Sequence, residues 1–347
     1  MMETKVSKQN LHYINVLNVL ACLCVVGLHC NGAVHAPTNQ SYWYQSLIVE
    51  TMAYWAVPVF FMISGATLMT YRQRYDTKTF LIRRFTKIGI PLLIWIVFFF
   101  IKNLLRGQYK VINLRLILNL LLYHNVQNVY WFFAPLFAVY LAIPVLSRLT
   151  GNRSTLKYMA VLGFLTISLL PFACLLIGVN FNPELTFPLA GGYVLYAVVG
   201  YLFSTHRFCL KERLVIYILA VVGLVARYGH TAGSFLAQGQ VDKLTWGYHN
   251  WPAFFLAAAI FVFIKQICQQ NWINRPKIVS AVSWLSGASF GIYLIHAYCM
   301  MLIMNKLGIW EGLWQWRFLG PFLIYGLCLL IVKLTQKIPW IGKYIFP

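Results

Sequence analysis

Charge is what this chain has least of, and acidic charge least of all. Charged side chains make up 10% of its 347 residues, with 7 Asp and Glu against 28 Lys and Arg, while 60% are hydrophobic. A soluble domain carries roughly 25% charged residues, and a mean hydropathy of +0.69 places this chain among polytopic membrane proteins instead. No CxxC pair occurs among the eight cysteines, and Cys22, Cys24 and Cys299 fall inside apolar segments. They read as buried free thiols, not as a disulfide framework or a zinc site, and no metal is expected. No A-x-A site follows the first apolar segment, which is too long and too polar for a signal-peptide core, so it is expected to remain as a span. The longest connections, 106–128 and 230–250, are about twenty residues each. No separate soluble domain is therefore expected, and residues 1–347 read as one transmembrane domain. A convincing internal repeat is also missing, which argues against a transporter built from repeated halves.

What is present is a series of apolar segments near 11–34, 46–70, 85–105, 129–147, 156–179, 186–204, 213–229, 251–269, 284–305 and 316–336. Each has a length suited to one crossing, so the expected fold is an all-α bundle of about ten transmembrane helices. The basic residues orient it. With a cytoplasmic N-terminus, the inner segments hold Lys5 and Lys8, six residues between Arg72 and Lys87, then Arg148, Arg153 and Lys157. Arg207, Lys211 and Arg213 follow, then Lys265, Arg275 and Lys277, and lastly Lys333, Lys337 and Lys343, which together account for 20 of the 28. The positive-inside rule then puts both termini in the cytoplasm. The net charge of +21 is thus spread over short connections, and no nucleic-acid partner is expected.

The first segment carries the most informative pattern. Asn15, Asn18, Cys22 and His29 lie on one face of an otherwise apolar run from Leu11 to Val34, since at about 100° per residue the first three fall within roughly 40° of His29. Polar side chains inside a span face the protein interior or a wet cavity. His29, in the outer half, is either a hydrogen-bonded structural histidine or a neutral base able to take a proton from a sugar hydroxyl and return it, as acyl transfer to an alcohol requires. Glu50, near the outer start of the second segment, is either a solvated acid or the carboxylate that orients this imidazole.

Basic and aromatic residues extend the pattern. In the cluster Arg72, Arg74, Lys78, Arg83, Arg84 and Lys87, the last three open the third segment, and arginine forks there suit the phosphates of a cytosolic donor such as a CoA thioester. Lys102, Arg106, Lys110 and Arg115 fall on the outer side, to hold lipid head groups or an anionic acceptor. Tyr42, Trp43 and Tyr44, then Trp246, Tyr248 and Trp251, then Trp310, Trp314 and Trp316 form either an aromatic belt or stacking surfaces for sugar rings. Val111 to Tyr123 reads as a short interfacial helix.

With their neighbours, these residues resemble the acyltransferase-3 family of integral membrane O-acyltransferases. The resemblance rests on YINVLNVLACLCVVGLH (Tyr13 to His29), VPVFFMISG (Val57 to Gly65), FLIRRFTKIGIP (Phe80 to Pro91), WFFAPLFAVYLAIP (Trp131 to Pro144) and SFGIYLIH (Ser289 to His296), which occur in order over most of the chain. It implies transfer of an acyl group, usually acetyl from acetyl-CoA, onto cell-surface carbohydrate, with His29 catalytic and Arg84 and Lys87 in a basic donor-handling motif whose second arginine is lysine here. Asn18 stands where many members carry arginine, and its amide remains able to donate a hydrogen bond to the donor. The site expected from all of this has His29 and Glu50 as catalytic residues, Arg83, Arg84, Lys87 and Asn18 at the donor, and Trp131, Tyr140 and His296 at the acceptor, with His296 either such a contact or a structural hydrogen-bonding residue. The expected setting is the bacterial inner membrane, with membrane lipid and a polysaccharide or lipid-linked glycan as partners. A family member transferring another acyl group such as succinyl, and a non-catalytic carrier of a lipid-linked or anionic substrate, are the alternatives.

Overall fold

The computed structural model describes residues 9–109, 111–122, 126–339 and 341–347. Lys5, Lys8, Lys110 and Tyr123, which enter the charge and helix expectations above, lie outside the described residues. The first crossing is α1 (Gln9–Cys30); the second is split into α2 (Ser41–Ala53) and α3 (Ala56–Leu68), and the third into α4 (Thr77–Arg84) and α5 (Ile90–Leu105). After the short α6 (Leu114–Leu122), α7 (Phe133–Leu146) returns, and α8 (Arg153–Phe164) with α9 (Leu170–Leu176) crosses again. The chain continues through α10 (Val194–Ser204), α11 (Leu210–Gln238), α12 (Trp251–Ile267), α13 (Pro276–Ser286) and α14 (Ser289–Leu307) to α15 (Trp314–Gln336) and the terminal α16 (Ile341–Ile345).

The protein is an all-α polytopic membrane protein. Among the described residues, eight helical runs are long and apolar enough to cross a membrane, and α10 and α12 are shorter apolar helices between them. Among the described residues these make ten passages, which put the start of α1 and the terminal α16 on one face, the face that carries most of the basic residues. Those residues also do local work. Lys265 donates from Nζ to the carbonyls of Phe203, Ser204 and His206 at 2.7–2.8 Å, and Arg153 donates to the Leu202 carbonyl and to Thr205 Oγ1. Together they satisfy the exposed carbonyls at the inner end of α10, where a cation also complements the helix dipole. Arg72 does the same for α7, through the Pro144 carbonyl and Ser147.

Prolines shape two of the split crossings. A wide π-helical turn over Phe85–Gly89 precedes Pro91, and another over Leu165–Leu169 precedes Pro171. Proline lacks the N–H for the carbonyl four residues back and its ring collides with that carbonyl, so a widened turn relieves both problems.

Three expected boundaries are corrected. The seventh crossing does not end near residue 229: α11 runs through Gly229 and Gly233 to Gln238 and is closed by Gly239, in the left-handed region at φ 69°. Much of the expected 230–250 connection is therefore helix. The sixth crossing is helical only from Val194, since Pro188 and Gly192 (φ 55°) hold its outer half in short turns. The ninth is interrupted at Gly287 and Ala288, between α13 and α14. Within the stretch expected to be a short interfacial helix lies α6, opened by Asn113, whose side chain accepts from the Leu116 N–H.

The α10 helix is held tightly against α3. A Cβ at Gly65 would overlap the Ala197 backbone, and one at Gly200 would overlap the Met62 backbone. Such reciprocal small-residue contacts let two backbones approach closely, which drives helix association where lipid provides no hydrophobic force. With α10 and α12 both short, the outer half of the bundle contains irregular backbone, which is tolerated at membrane depth only where protein or a wet cavity surrounds it.

Candidate functional site

The polar face of α1 meets a polar face on α13 and α14 almost residue for residue. The Asn18 amide donates to the Ser286 carbonyl (3.2 Å) and to Ser286 Oγ (2.8 Å), and that hydroxyl donates to Asn15 Oδ1 at 3.1 Å. Cys22 Sγ lies 3.6 Å from the Ser289 carbonyl. At the outer end of the seam the His29 and His296 rings lie 5.1 Å apart, tilted by 45°. Burying these groups against one another removes the cost each would incur facing lipid.

The two histidines differ in their surroundings. His296 is fully buried, and its Nδ1–H donates to the Tyr293 carbonyl at 2.7 Å. A neutral imidazole that donates from one nitrogen keeps a lone pair on the other, and Nε2 of His296 has no hydrogen-bond partner among the described residues. His29 is half-buried. The backbone behind the pair is held by two reciprocal bonds: Tyr130 donates from its hydroxyl to the Leu294 carbonyl at 2.9 Å, and Tyr293 donates to the Val129 carbonyl.

Glu50 is not where sequence reasoning put it. It is buried, and its carboxylate pairs with Arg227 at 3.6 Å instead of hydrogen-bonding to His29. Arg227, 2% exposed, donates from Nη1 to the Thr245 carbonyl at 2.8 Å and lies 3.7 Å above the Tyr54 ring. The reason for the difference is that α11 packs beside α2 and presents Arg227 to Glu50. Sequence reading passed over this arginine although the signal was plain, because an ionisable residue within an apolar run marks a site by default.

From this ion pair an aromatic stack runs outward. Tyr54 stacks on Tyr248 with centroids 4.1 Å apart, and Tyr248 stacks on Trp131 at 5.6 Å. Trp131 is 38% exposed, so the stack opens at that end. The Tyr248 hydroxyl interacts electrostatically with Glu50 and with the hydroxyls of Tyr54, Tyr193 and Tyr293. Tyr196 donates from its hydroxyl to the Tyr248 carbonyl at 2.5 Å, fixing this loop to α10. His249 lies 4.4 Å from Tyr193, and burial pushes its imidazole down to about 4, so it is neutral near pH 7. Tyr293 lies 5.5 Å from His296 and 5.4 Å from Phe132, whose ring is 6.3 Å from Trp131, so a chain of aromatic contacts joins the histidine pair to the stack.

The remaining sequence-predicted residues fall elsewhere. Arg83 and Lys87 are exposed at the inner face, Arg83 with its guanidinium over the Tyr75 ring. Arg84 turns inward, with a buried Nε that has no partner among the described residues, and interacts electrostatically with the buried Tyr140. That places Tyr140 with the inner basic group and away from the outer stack. Asn18 donates from its amide to the Ser286 carbonyl and to Ser286 Oγ, which joins α1 to α13. All eight cysteines are free.

The buried pair allows a clear test. Arg227→Met leaves Glu50 buried and uncompensated and is expected to cost about 3–5 kcal/mol, because breaking one half of a buried pair strands a charge. Glu50→Gln with Arg227→Met should recover most of that loss, as read by thermal unfolding of the detergent-solubilised protein. A double variant no better than Arg227→Met alone would mean that Arg227 acts by packing on Tyr54 and not by charge.

A family model described as an acyltransferase domain matches residues 11–334 of the chain. No curated protein and no solved structure matches it.

Proposed function

Because this chain belongs to the acyltransferase-3 family of membrane acyltransferases, we propose that it moves an acetyl group from cytosolic acetyl-CoA to a hydroxyl of a surface polysaccharide or its lipid-linked precursor, in a bacterial inner membrane. The observation that carries this reading is the histidine pair at the end of a polar seam, joined by aromatic contacts to a stack of rings that reaches the surface at Trp131.

His29 is the base. His296 replaces Glu50 as its orienting partner: with Nδ1–H committed to the Tyr293 carbonyl, His296 Nε2 is left to accept from the His29 N–H. The other His29 nitrogen then takes the proton of the sugar hydroxyl as that oxygen bonds to the thioester carbonyl carbon. The carbon–sulfur bond breaks, and the departing thiolate receives the proton from the His29 imidazolium. The products are an O-acetyl ester and a free thiol, with His29 neutral again. Trp131, Tyr248 and Tyr54 offer flat faces to a sugar ring, and Tyr193 and Tyr293 offer hydroxyls. On the opposite face, Arg83, Arg84 and Lys87 attract the donor's phosphates and raise its local concentration.

The test compares surface polysaccharide from cells with the gene deleted and from cells complemented with wild type, by mass spectrometry and proton NMR. Acetyl groups lost on deletion and restored by the gene are expected. Loss of a different acyl group would change the donor and leave the chemistry intact, whereas an unchanged glycan in cells that make a suitable acceptor would point to a carrier.

A further inference from the structure

With 20 of the 28 basic residues on the inner side, eight remain, and four of these, Lys102, Arg106, Lys110 and Arg115, fall within one stretch of fourteen residues. No Asp or Glu occurs between Asp76 and Glu184. Among the described residues, none of the ion pairs involves Lys102, Arg106 or Arg115. The outer side thus carries a group of cations against the positive-inside bias, and the chain supplies no anion to neutralise it.

Local contacts fix these cations in place. Arg106 caps α5 four residues after Lys102, so the two share one helical face. Lys102 holds its Nζ 4.6 Å above the Tyr298 ring and 5.2 Å above the Phe99 ring. Gly107, at φ 68°, then turns the chain out of the helix. Tyr109 stacks on Phe100 with centroids 5.5 Å apart, and Asn103 donates to its hydroxyl at 3.3 Å, so the turn folds back on α5. Beside it packs α6, with Arg115 in its first turn. Arg106 and Arg115 are exposed.

The surface next to them is apolar. Leu114, Ile117, Leu118 and Leu121 form an exposed stripe at helical spacing along α6, which in the outer leaflet meets lipid tails. On the other side Phe99 lies 6.0 Å from Tyr130, whose chain neighbour Trp131 is the exposed end of the aromatic stack. A lipid-facing stripe, a group of cations and a ring suited to sugars are therefore neighbours at the outer end of the bundle. That order matches an amphiphile of three parts: a hydrocarbon chain, a phosphate group and a glycan. Arginine forks take phosphate oxygens in pairs. A diphosphate, with more than one negative charge, answers several cations better than the single phosphodiester of a phospholipid.

We infer that Lys102, Arg106 and Arg115 bind the diphosphate of a lipid-linked glycan, with its hydrocarbon chain against α6 and its sugars directed to Trp131. The inference rests on the transferase reading above and selects the lipid-linked form of its acceptor.

The test measures equilibrium binding of radiolabelled farnesyl diphosphate to the detergent-purified full chain, with phosphatidylglycerol as competitor. Arg106→Gln with Arg115→Gln alters exposed side chains only and should fold, and Lys211→Gln, an exposed cation on the inner face, is the control. The double variant is expected to bind the probe at least about tenfold more weakly, since two head-group contacts are lost, while the control is unchanged. Membranes from cells that make the polysaccharide, given labelled acetyl-CoA, supply a second reading. Label is expected in a fraction that organic solvent extracts and mild acid returns to water, because mild acid cleaves a sugar–diphosphate bond, and this label should fall in the double variant. Probe binding unchanged in the double variant, or displaced equally well by phosphatidylglycerol, would overturn the site. Label confined to lipid-free polysaccharide would overturn it too while leaving the transferase reading standing. Membranes that transfer no label would remove that reading, and the acceptor site with it.

Discussion

Replacing His29 with alanine is expected to lower acyl transfer by at least about 100-fold, the lower end of what a positioned general base contributes. The protein should still fold, because His29 is half-buried and its removal strands no buried charge. His296→Ala should be nearly as damaging if His296 orients the imidazole. His296→Gln, which keeps an acceptor, should retain more activity than alanine and move the pH–rate profile. Glu50→Gln separates the two orienting partners. The Glu50 carboxylate faces Arg227, so this variant should lower stability yet keep its turnover within a few fold once solubilised. Initial rates on membranes with labelled acetyl-CoA, normalised to folded protein by size-exclusion chromatography, supply the comparison. A Glu50→Gln enzyme as inactive as His29→Ala would restore the carboxylate to the chemistry and remove His296 from it.

The second large effect lies far from the chemistry. Gly200→Val and Gly65→Val should each prevent recovery of folded protein, because a side chain at either position meets the backbone of the opposite helix and not a movable side-chain end. Overpacking of a movable core costs about 1–3 kcal/mol, and here the α3–α10 contact must separate along its length. Gly229→Ala is the control. Nothing lies within 4 Å of a Cβ there, so this change in α11 should be neutral or stabilising, by up to about 1 kcal/mol of helix propensity. Size-exclusion profiles of the solubilised variants report both outcomes. A monodisperse Gly200→Val protein of unchanged melting temperature would show that the close approach of α3 and α10 is dispensable.

The sequence by itself determined what depends on local composition and period. Apolar lengths set an all-α bundle of about ten passages, basic residues set which connections share a face, and the stripe of Asn15, Asn18, Cys22 and His29 marked α1 as the helix with a polar partner. Five stretches quoted in order named the family. Some of what it left open was legible: Pro188 and Gly192 announced a short α10, and Arg227 stood alone in an apolar run. Only the tertiary structure decided who faces whom. Asn18 bonds to a serine 268 positions away, His29 meets His296, and Glu50 turns to Arg227 and away from the histidine closer in sequence. The reason is physical. Inside a bilayer every polar side chain must find a partner, so a helix's sequence states that a partner is needed and on which face. Which helix supplies it depends on the packing of the whole bundle, where contacts such as Gly65 on Ala197 and Gly200 on Met62 fix which helices are neighbours.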